Sequence, residues 1–144
     1  MQRFNRFLIW LWSQEGSPGE RARGLAFGVF AGCFPLFGLQ TILGIALASL
    51  FKGNRVLAGA GTWISNPITY IPLYLFNYEI GCWLLGGKTE NIVFRELTWD
   101  NIIGNSSILT IRVLIGSFIV GLGASLISGL LAFKYLQRKN SFRR

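Results

Sequence analysis

Three long apolar stretches dominate the chain, and short polar or basic segments separate them. Residues 25–51 contain no charged side chain, residues 56–87 contain only Glu79, and residues 113–133 contain none. A helix needs about 20 apolar residues to cross the hydrocarbon core of a bilayer. The pattern therefore predicts an all-α integral membrane protein.

A proline interrupts the first stretch. Pro35 lies between Gly32 and Gly38. Proline removes a helical hydrogen bond and clashes with the preceding turn, while glycine permits a sharp reversal of the backbone. This stretch is therefore predicted to form a broken helix pair rather than one straight helix.

A second break lies at Asn66-Pro67, inside a polar patch at residues 59–72. In lipid, an interrupted helix leaves backbone groups unpaired, and such a break survives only where protein or a wet cavity satisfies them. The break leaves a short half-helix before it and a span-length piece, residues 68–87, after it. The patch marks either a structural kink or the lining of a site.

Composition and charge agree with a membrane protein. Hydrophobic residues make up 51% of the chain and charged residues 14%, against roughly 25% charged in soluble domains. The net charge is +8, and the basic residues flank the apolar stretches, as topology-setting charges do. No nucleic-acid-binding motif accompanies the charge, so no nucleic-acid partner is predicted.

The distribution of basic residues also predicts a topology. Three simple spans would leave either the basic N-terminus or the basic C-terminus outside. If residues 25–51 instead enter the membrane and return, as a re-entrant pair, then both termini and the basic loop at 52–55 are cytoplasmic. The loop at 88–112 is then outside, and full-length transmembrane helices follow the pair. A spanning first segment is the alternative.

The predicted organisation has three parts. Residues 1–23 form an interfacial amphipathic segment, with Arg3 and Arg6 at the headgroups and aromatic residues at the acyl boundary. A loose soluble tail is the alternative for this part. Residues 24–133 form the membrane domain, and residues 134–144 form a basic cytoplasmic tail.

Small residues recur every fourth position in two places. This spacing puts each set on one helix face, where small side chains let two backbones approach closely. Packing within the monomer is the favoured interpretation, and a homo-oligomer interface is the alternative. The two sets are Gly24, Gly28 and Gly32, and Ser117, Gly121, Ser125 and Gly129.

Glu79 is the one ionisable residue inside an apolar stretch, which makes it a functional candidate, with Arg55, Arg21 or Arg23 as its expected partner. Polar side chains around the two breaks either bind a ligand or cap the broken helix ends. Asn54 and Arg55 either anchor the loop or bind an anionic lipid headgroup. The predicted ligand-binding residues are Pro35, Gln40, Thr41, Asn54, Arg55, Thr62, Ser65, Asn66, Pro67, Thr69 and Glu79.

The residue types argue against an enzyme. The chain has no histidine and a single aspartate, Asp100, so the usual metal sites and catalytic triads cannot be assembled. Cys33 and Cys82 lie within apolar stretches without the C-x-x-C spacing, and are expected to be small buried hydrophobic residues. No catalytic residue, metal or cofactor is predicted.

Several motifs carry a family resemblance. They are G-C-F-P-L-F-G-L-Q-T at 32–41, Asn54, G-T-W-I-S-N-P-I-T at 61–69, P-L-Y at 72–74 and Gly81. Over roughly residues 20–133 the chain resembles the bacterial membrane family called domain of unknown function 2062. The resemblance implies a small helical protein of a bacterial inner or thylakoid membrane. Some members carry the domain beside glycosyltransferase or methyltransferase domains, which suggests work on envelope lipids or glycans.

These patterns together predict a non-enzymatic membrane protein that binds or translocates a small polar solute or a lipid headgroup at its paired proline breaks. The alternative is a structural or assembly subunit that packs against a larger membrane complex. The expected partners are the lipid bilayer and either a second copy of the chain or that larger complex.

Overall fold

The computed structural model describes residues 6, 9–36, 38–86 and 99–141, and within the last range the side chains of 107–139. The regular elements among these residues are all helices, with no strand, which confirms the all-α prediction. Residues 9–12 are helical. Five α-helices follow: α1 (Pro18–Gly32), α2 (Leu39–Leu50), α3 (Arg55–Gly61), α4 (Tyr70–Leu84) and α5 (Trp99–Ser141). A 3-10 helix (Thr62–Ile64) lies between α3 and α4.

Helix α1 begins at a capping box. The Ser17 hydroxyl accepts from the backbone N–H of Glu20 (3.2 Å), and the Glu20 carboxylate accepts from the N–H of Ser17 (2.8 Å). Pro18 occupies the first turn, where no helical N–H is needed. These three residues fix where the chain turns from the N-terminal segment into the bundle.

The predicted break at Pro35 is confirmed. Helix α1 ends at Gly32, Pro35 is half-buried in the turn, and α2 follows Gly38, whose φ of 89° suits glycine. The 15 residues of α1 and the 12 of α2 correspond to about 22 and 18 Å of helix, less than a hydrocarbon core of about 30 Å. The two helices pack against each other. Re-entry of this pair into a membrane stays a prediction.

The second break is confirmed as well. Helix α3 has seven residues, the 3-10 helix continues it, and α4 begins at Tyr70, after the turn that contains Asn66 and Pro67. Pro72 lies in the first turn of α4, where a missing N–H is tolerated. Helix α4 has 15 residues, so it is shorter than the span predicted for 68–87.

Helix α5 is the one described helix that is long and apolar enough to cross a membrane. Its candidate span, Ser107–Lys139, has 33 residues, and the most apolar 18-residue window within it has a mean hydropathy of 2.1. The prediction of a loop over 88–112 is wrong for residues 99–112, which belong to α5, while residues 87–98 lie outside the described residues. The predicted start of the basic tail, at 134, falls inside this helix. A multi-pass topology stays a prediction.

Helix α1 occupies the centre and packs against α2, α3 and α5. Its contact with α3 is made by backbone atoms: a Cβ atom at Gly24 or Gly28 would overlap the main chain of Asn54 or Ala58. Gly32 lies against Thr62 of the 3-10 helix. The first small-residue face therefore packs within the monomer, as favoured from the sequence.

The second small-residue face also points inward for most of its length. Gly121 faces the Phe30 ring of α1, and Gly129 faces Ala26, whose Cβ would lie 3.1 Å from an added Cβ. Ser117 is fully buried. Contacts that run from residue 26 to 129 and from 30 to 121 show that α1 and α5 are antiparallel.

Candidate functional site

A buried polar layer lies at the end of α1, beside the first break. Asn77 of α4 donates from Nδ2 to the carbonyl oxygen of Cys33 (2.9 Å) and to the Ser117 hydroxyl of α5 (2.9 Å). The Tyr74 hydroxyl donates to the carbonyl oxygen of Phe34 (3.3 Å). One amide side chain therefore connects the end of α1 to both later helices.

Sequence reasoning missed Asn77 and selected Glu79 instead. Asn77 is fully buried, whereas Glu79 is exposed and forms no ion pair with any described residue. Residues two apart on a helix lie about 200° apart around its axis, so only one of the two faces α5. The sequence did contain a signal for Asn77. It lies four positions before Gly81, so both residues are on the helix face that approaches α5. The structure does not bring Glu79 together with Arg55.

A hydroxyl pair links α2 to the second break. The Thr62 hydroxyl donates to the carbonyl oxygen of Gly59 (2.7 Å), so Thr41 is the donor in the 3.2 Å bond between the Thr41 and Thr62 hydroxyls. The Ser65 hydroxyl donates to the carbonyl oxygen of Thr62 (3.2 Å). Gln40 precedes Thr41 in the sequence. It is buried, and its Oε1 has no hydrogen-bond partner among the described residues. The structure thus brings Thr41, Thr62 and Ser65 together.

Three predicted ligand residues form the exposed turn before α4. Asn66 accepts through Oδ1 from the N–H groups of Ile68 (2.9 Å) and Thr69 (3.1 Å). The Thr69 hydroxyl donates to the carbonyl oxygen of Ile64 (2.7 Å), and Pro67 is exposed. These contacts match the capping role that the sequence left open as an alternative.

Asn54 holds the loop between α2 and α3. Its Oδ1 accepts from the N–H of Leu57 (3.0 Å), which caps α3, and its Nδ2 donates to the carbonyl oxygen of Glu15 (2.9 Å). Its backbone N–H donates to the carbonyl oxygen of Glu20 (2.9 Å). These contacts place the start of α3 beside the start of α1.

An open groove of about 430 Å³ lies between α2 and α3. The two helices are antiparallel, since position 59 faces Ile45 and Thr62 bonds to Thr41. Arg55 therefore lies at the loop end of the groove, and Trp63 lies about 12 Å along it, towards the breaks. We call it the Arg55 groove. Its lining residues are Trp10, Leu11, Thr41, Ile45, Arg55, Val56, Gly59, Ala60 and Trp63.

Basic side chains cluster at the loop end of this groove. Arg23 donates from Nη2 to the carbonyl oxygen of Lys52 (3.1 Å), three positions before Arg55, and all three side chains are exposed. Arg55 forms no ion pair with any described residue. The groove thus combines an apolar wall with an uncompensated cationic end, which suits an amphiphile with a negatively charged head.

The comparisons with known proteins return one family. The family model described as "Uncharacterized protein conserved in bacteria (DUF2062)" matches residues 1–144, the whole length that contains the break motifs. Neither a curated protein nor a solved structure matches the chain.

Proposed function

The chain belongs to the bacterial family DUF2062, and we propose that it is a membrane protein that binds an anionic lipid in the Arg55 groove. The carrying observation is the groove itself, whose apolar wall ends at an exposed arginine without an acidic partner among the described residues. The proposal retains the lipid-headgroup part of the sequence hypothesis and moves it from the breaks to the groove.

The surface supports a membrane location. Ile68, Trp83 and Leu50 are 87%, 79% and 76% exposed, and the most apolar window of α5 is only 17% buried. Soluble monomers rarely expose large contiguous apolar patches, and the core helix of a soluble protein would be mostly buried. A bilayer, proposed to be the bacterial inner membrane with both termini cytoplasmic, would cover these side chains.

The chemistry of the groove favours a phospholipid as the occupant. A phosphate can accept charge-assisted hydrogen bonds from the Arg55 guanidinium, and each basic residue near an anionic membrane surface contributes about 1 kcal/mol. An acyl chain that follows the groove past Val56 and Ile45 covers its apolar wall, and because the chain is already in hydrocarbon, the preference for one lipid over another comes from the arginine. The arginine therefore binds the phosphate of the lipid, and the apolar wall contacts the acyl chain of the same molecule.

The breaks themselves offer less to a polar solute. The hydroxyl hydrogens of Thr62, Ser65 and Thr69 are directed at backbone carbonyls. These groups stabilise the interrupted helices and would have to break those bonds to donate to a ligand. We therefore place the ligand in the groove, and we propose binding rather than translocation.

Trp63 lines the groove and can report its occupant. In a variant that keeps Trp63 as the sole tryptophan, brominated phosphatidylglycerol should quench its fluorescence more strongly than brominated phosphatidylcholine in reconstituted vesicles. Arg55→Gln should weaken the preference about fivefold, the factor that corresponds to about 1 kcal/mol. The four residues changed to phenylalanine are Trp10, Trp12, Trp83 and Trp99.

Lys134→Gln is the matched control, because it removes the same charge from an exposed position outside the groove. It should leave the preference of the Trp63 reporter unchanged. If Arg55→Gln keeps the full preference, or if both variants lose it equally, the lipid is attracted by general surface charge and the site assignment is wrong.

An exposed apolar face of α5 favours a second candidate, an assembly subunit of a larger membrane complex. Leu126, Ile127, Leu130 and Leu131 are each 61–65% exposed. Purification in a mild detergent tests this candidate. A stoichiometric complex with another protein would support it, and a monomer or homodimer that retains lipid would count against it.

A further inference from the structure

A second open groove, of about 420 Å³, lies between α1, α5 and the N-terminal segment. We call it the α1–α5 groove. Its wall is apolar and aromatic, apart from the hydroxyls of Ser128 and Tyr135. The lining residues are Trp12, Leu25, Ser128, Leu131, Ala132 and Tyr135.

Arg21 borders this groove through its contact with the lining residue Trp12. It lies four residues before Leu25 on α1, so both share a helix face. Its Nη1 donates to the carbonyl oxygen of Trp12 (3.0 Å), whereas its Nε is buried and has no hydrogen-bond partner. Arg21 forms no ion pair with any described residue. An anion at this end of the groove would balance its charge.

The α5 side of the groove also combines an aromatic and apolar wall with a cationic residue at one end. The Trp12 and Tyr135 rings meet edge to face, with centroids 5.3 Å apart. Lys139 is exposed and lies four residues after Tyr135, so it extends the groove face beyond the aromatic pair. In the other direction, Ser128 lies about 10 Å along the helix from Tyr135. Both walls are therefore cationic at one end and mainly apolar along their length.

We propose that the α1–α5 groove is a second anionic-lipid site. The lipid phosphate accepts from the Arg21 guanidinium at the end of the groove, Lys139 balances its remaining charge, and an acyl chain follows Leu25 and Leu131. A free phosphate would satisfy Arg21 but would leave the apolar wall uncovered, which is why a lipid is the occupant. This site uses none of the residues of the Arg55 groove, so it does not depend on the function proposed above.

Trp12 is the reporter for this site. With Trp12 as the sole tryptophan, brominated phosphatidylglycerol should quench at a lower mole fraction than brominated phosphatidylcholine, and the effect should saturate. Arg21→Gln should weaken the preference at least fivefold, the contribution of one basic residue near a membrane surface. Arg21→Lys keeps the charge without the forked donors of the guanidinium, so its preference should lie between wild type and Arg21→Gln.

Arg21 also holds the Trp12 carbonyl, so a second variant keeps the test decisive if Arg21→Gln disturbs the fold. Lys139→Gln leaves that contact intact and should weaken the preference about two- to fivefold. Lys134→Gln is its control, because Lys134 points about 120° away from the lining residues around α5 and should have no effect.

Three results would overturn the proposal. Equal quenching of Trp12 by both lipids would indicate annular lipid only. Equal effects of Lys139→Gln and Lys134→Gln would indicate general surface charge. Relief of quenching by millimolar inorganic phosphate would indicate a phosphate site without lipid specificity. The two sites remain distinguishable, since Arg21→Gln should leave the Trp63 reporter unchanged and Arg55→Gln should leave the Trp12 reporter unchanged.

Discussion

Replacing Asn77 with alanine tests whether the buried polar layer holds the bundle together. Asn77 is fully buried and is the one described side chain that bonds to both the end of α1 and helix α5. Asn77→Ala removes both 2.9 Å hydrogen bonds and leaves the Cys33 carbonyl and the Ser117 hydroxyl without this partner. We expect it to destabilise the protein more than Glu79→Gln does.

The size of the effect follows from these two bonds. A buried hydrogen bond contributes about 0.5–1.5 kcal/mol in water-soluble proteins, and such bonds between membrane helices average about 0.6 kcal/mol. Two bonds therefore account for about 1–3 kcal/mol. Asn77 Oδ1 is buried without a partner, and its removal offsets part of that loss. We expect the free energy of unfolding to fall by about 1–2 kcal/mol.

Unfolding in mixed micelles, by titration with sodium dodecyl sulfate and detection by circular dichroism, measures this change. Glu79→Gln is the control, because an exposed side chain without an ion pair should change the free energy of unfolding by less than about 0.5 kcal/mol. Ser117→Ala and the double variant complete a mutant cycle. A coupling energy of about 0.5 kcal/mol or more between Asn77 and Ser117 is expected, since they share one hydrogen bond.

A null result for Asn77→Ala would refute the reasoning. If its free energy of unfolding matches that of Glu79→Gln, the polar layer contributes specificity at most. Additive effects of Asn77→Ala and Ser117→Ala would contradict the hydrogen bond between them, even if each variant were destabilised.

Two further predictions follow from the fold. Gly28→Ala should destabilise the protein by several kcal/mol, because the new Cβ would overlap the Ala58 carbonyl, whereas Gly123→Ala, with open space around it, should be neutral or slightly stabilising in the same titration. Cysteines introduced at Lys52 and Arg138 should both react with a membrane-impermeant maleimide from the cytoplasmic side only. Labelling of the two positions from opposite sides would contradict the topology.

Proline chemistry made the helix breaks predictable. Pro35 and Pro67 lack an N–H wherever they lie in the fold, so each marks an interruption that any tertiary structure must accommodate. The start of α5 was not predictable in the same way. The apolar window that begins at 113 marks the part suited to hydrocarbon, but a helix can begin before such a window, as α5 does at Trp99.

The contents of the candidate sites were predictable only in part. Arg55 could be selected because its loop has no acidic residue to pair with it. The aromatic walls at Trp10, Trp12 and Trp63 could not, because a groove belongs to the space between elements and no local pattern records it. Asn77 escaped notice for a related reason: the partner that justifies its burial, Cys33, lies 44 positions earlier in the chain.

The two grooves are related by their charged ends. The backbone N–H of Asn54 bonds to the carbonyl of Glu20, so Arg55 and Arg21, each the next residue in sequence, belong to the same end of the bundle. Lipids with their phosphates at these two arginines would therefore come from one leaflet. The small-residue faces, whose alternative interpretation was a dimer interface, are largely occupied by contacts within the monomer. The outer surface that remains carries large apolar side chains, which suit lipid chains better than a close contact between helices.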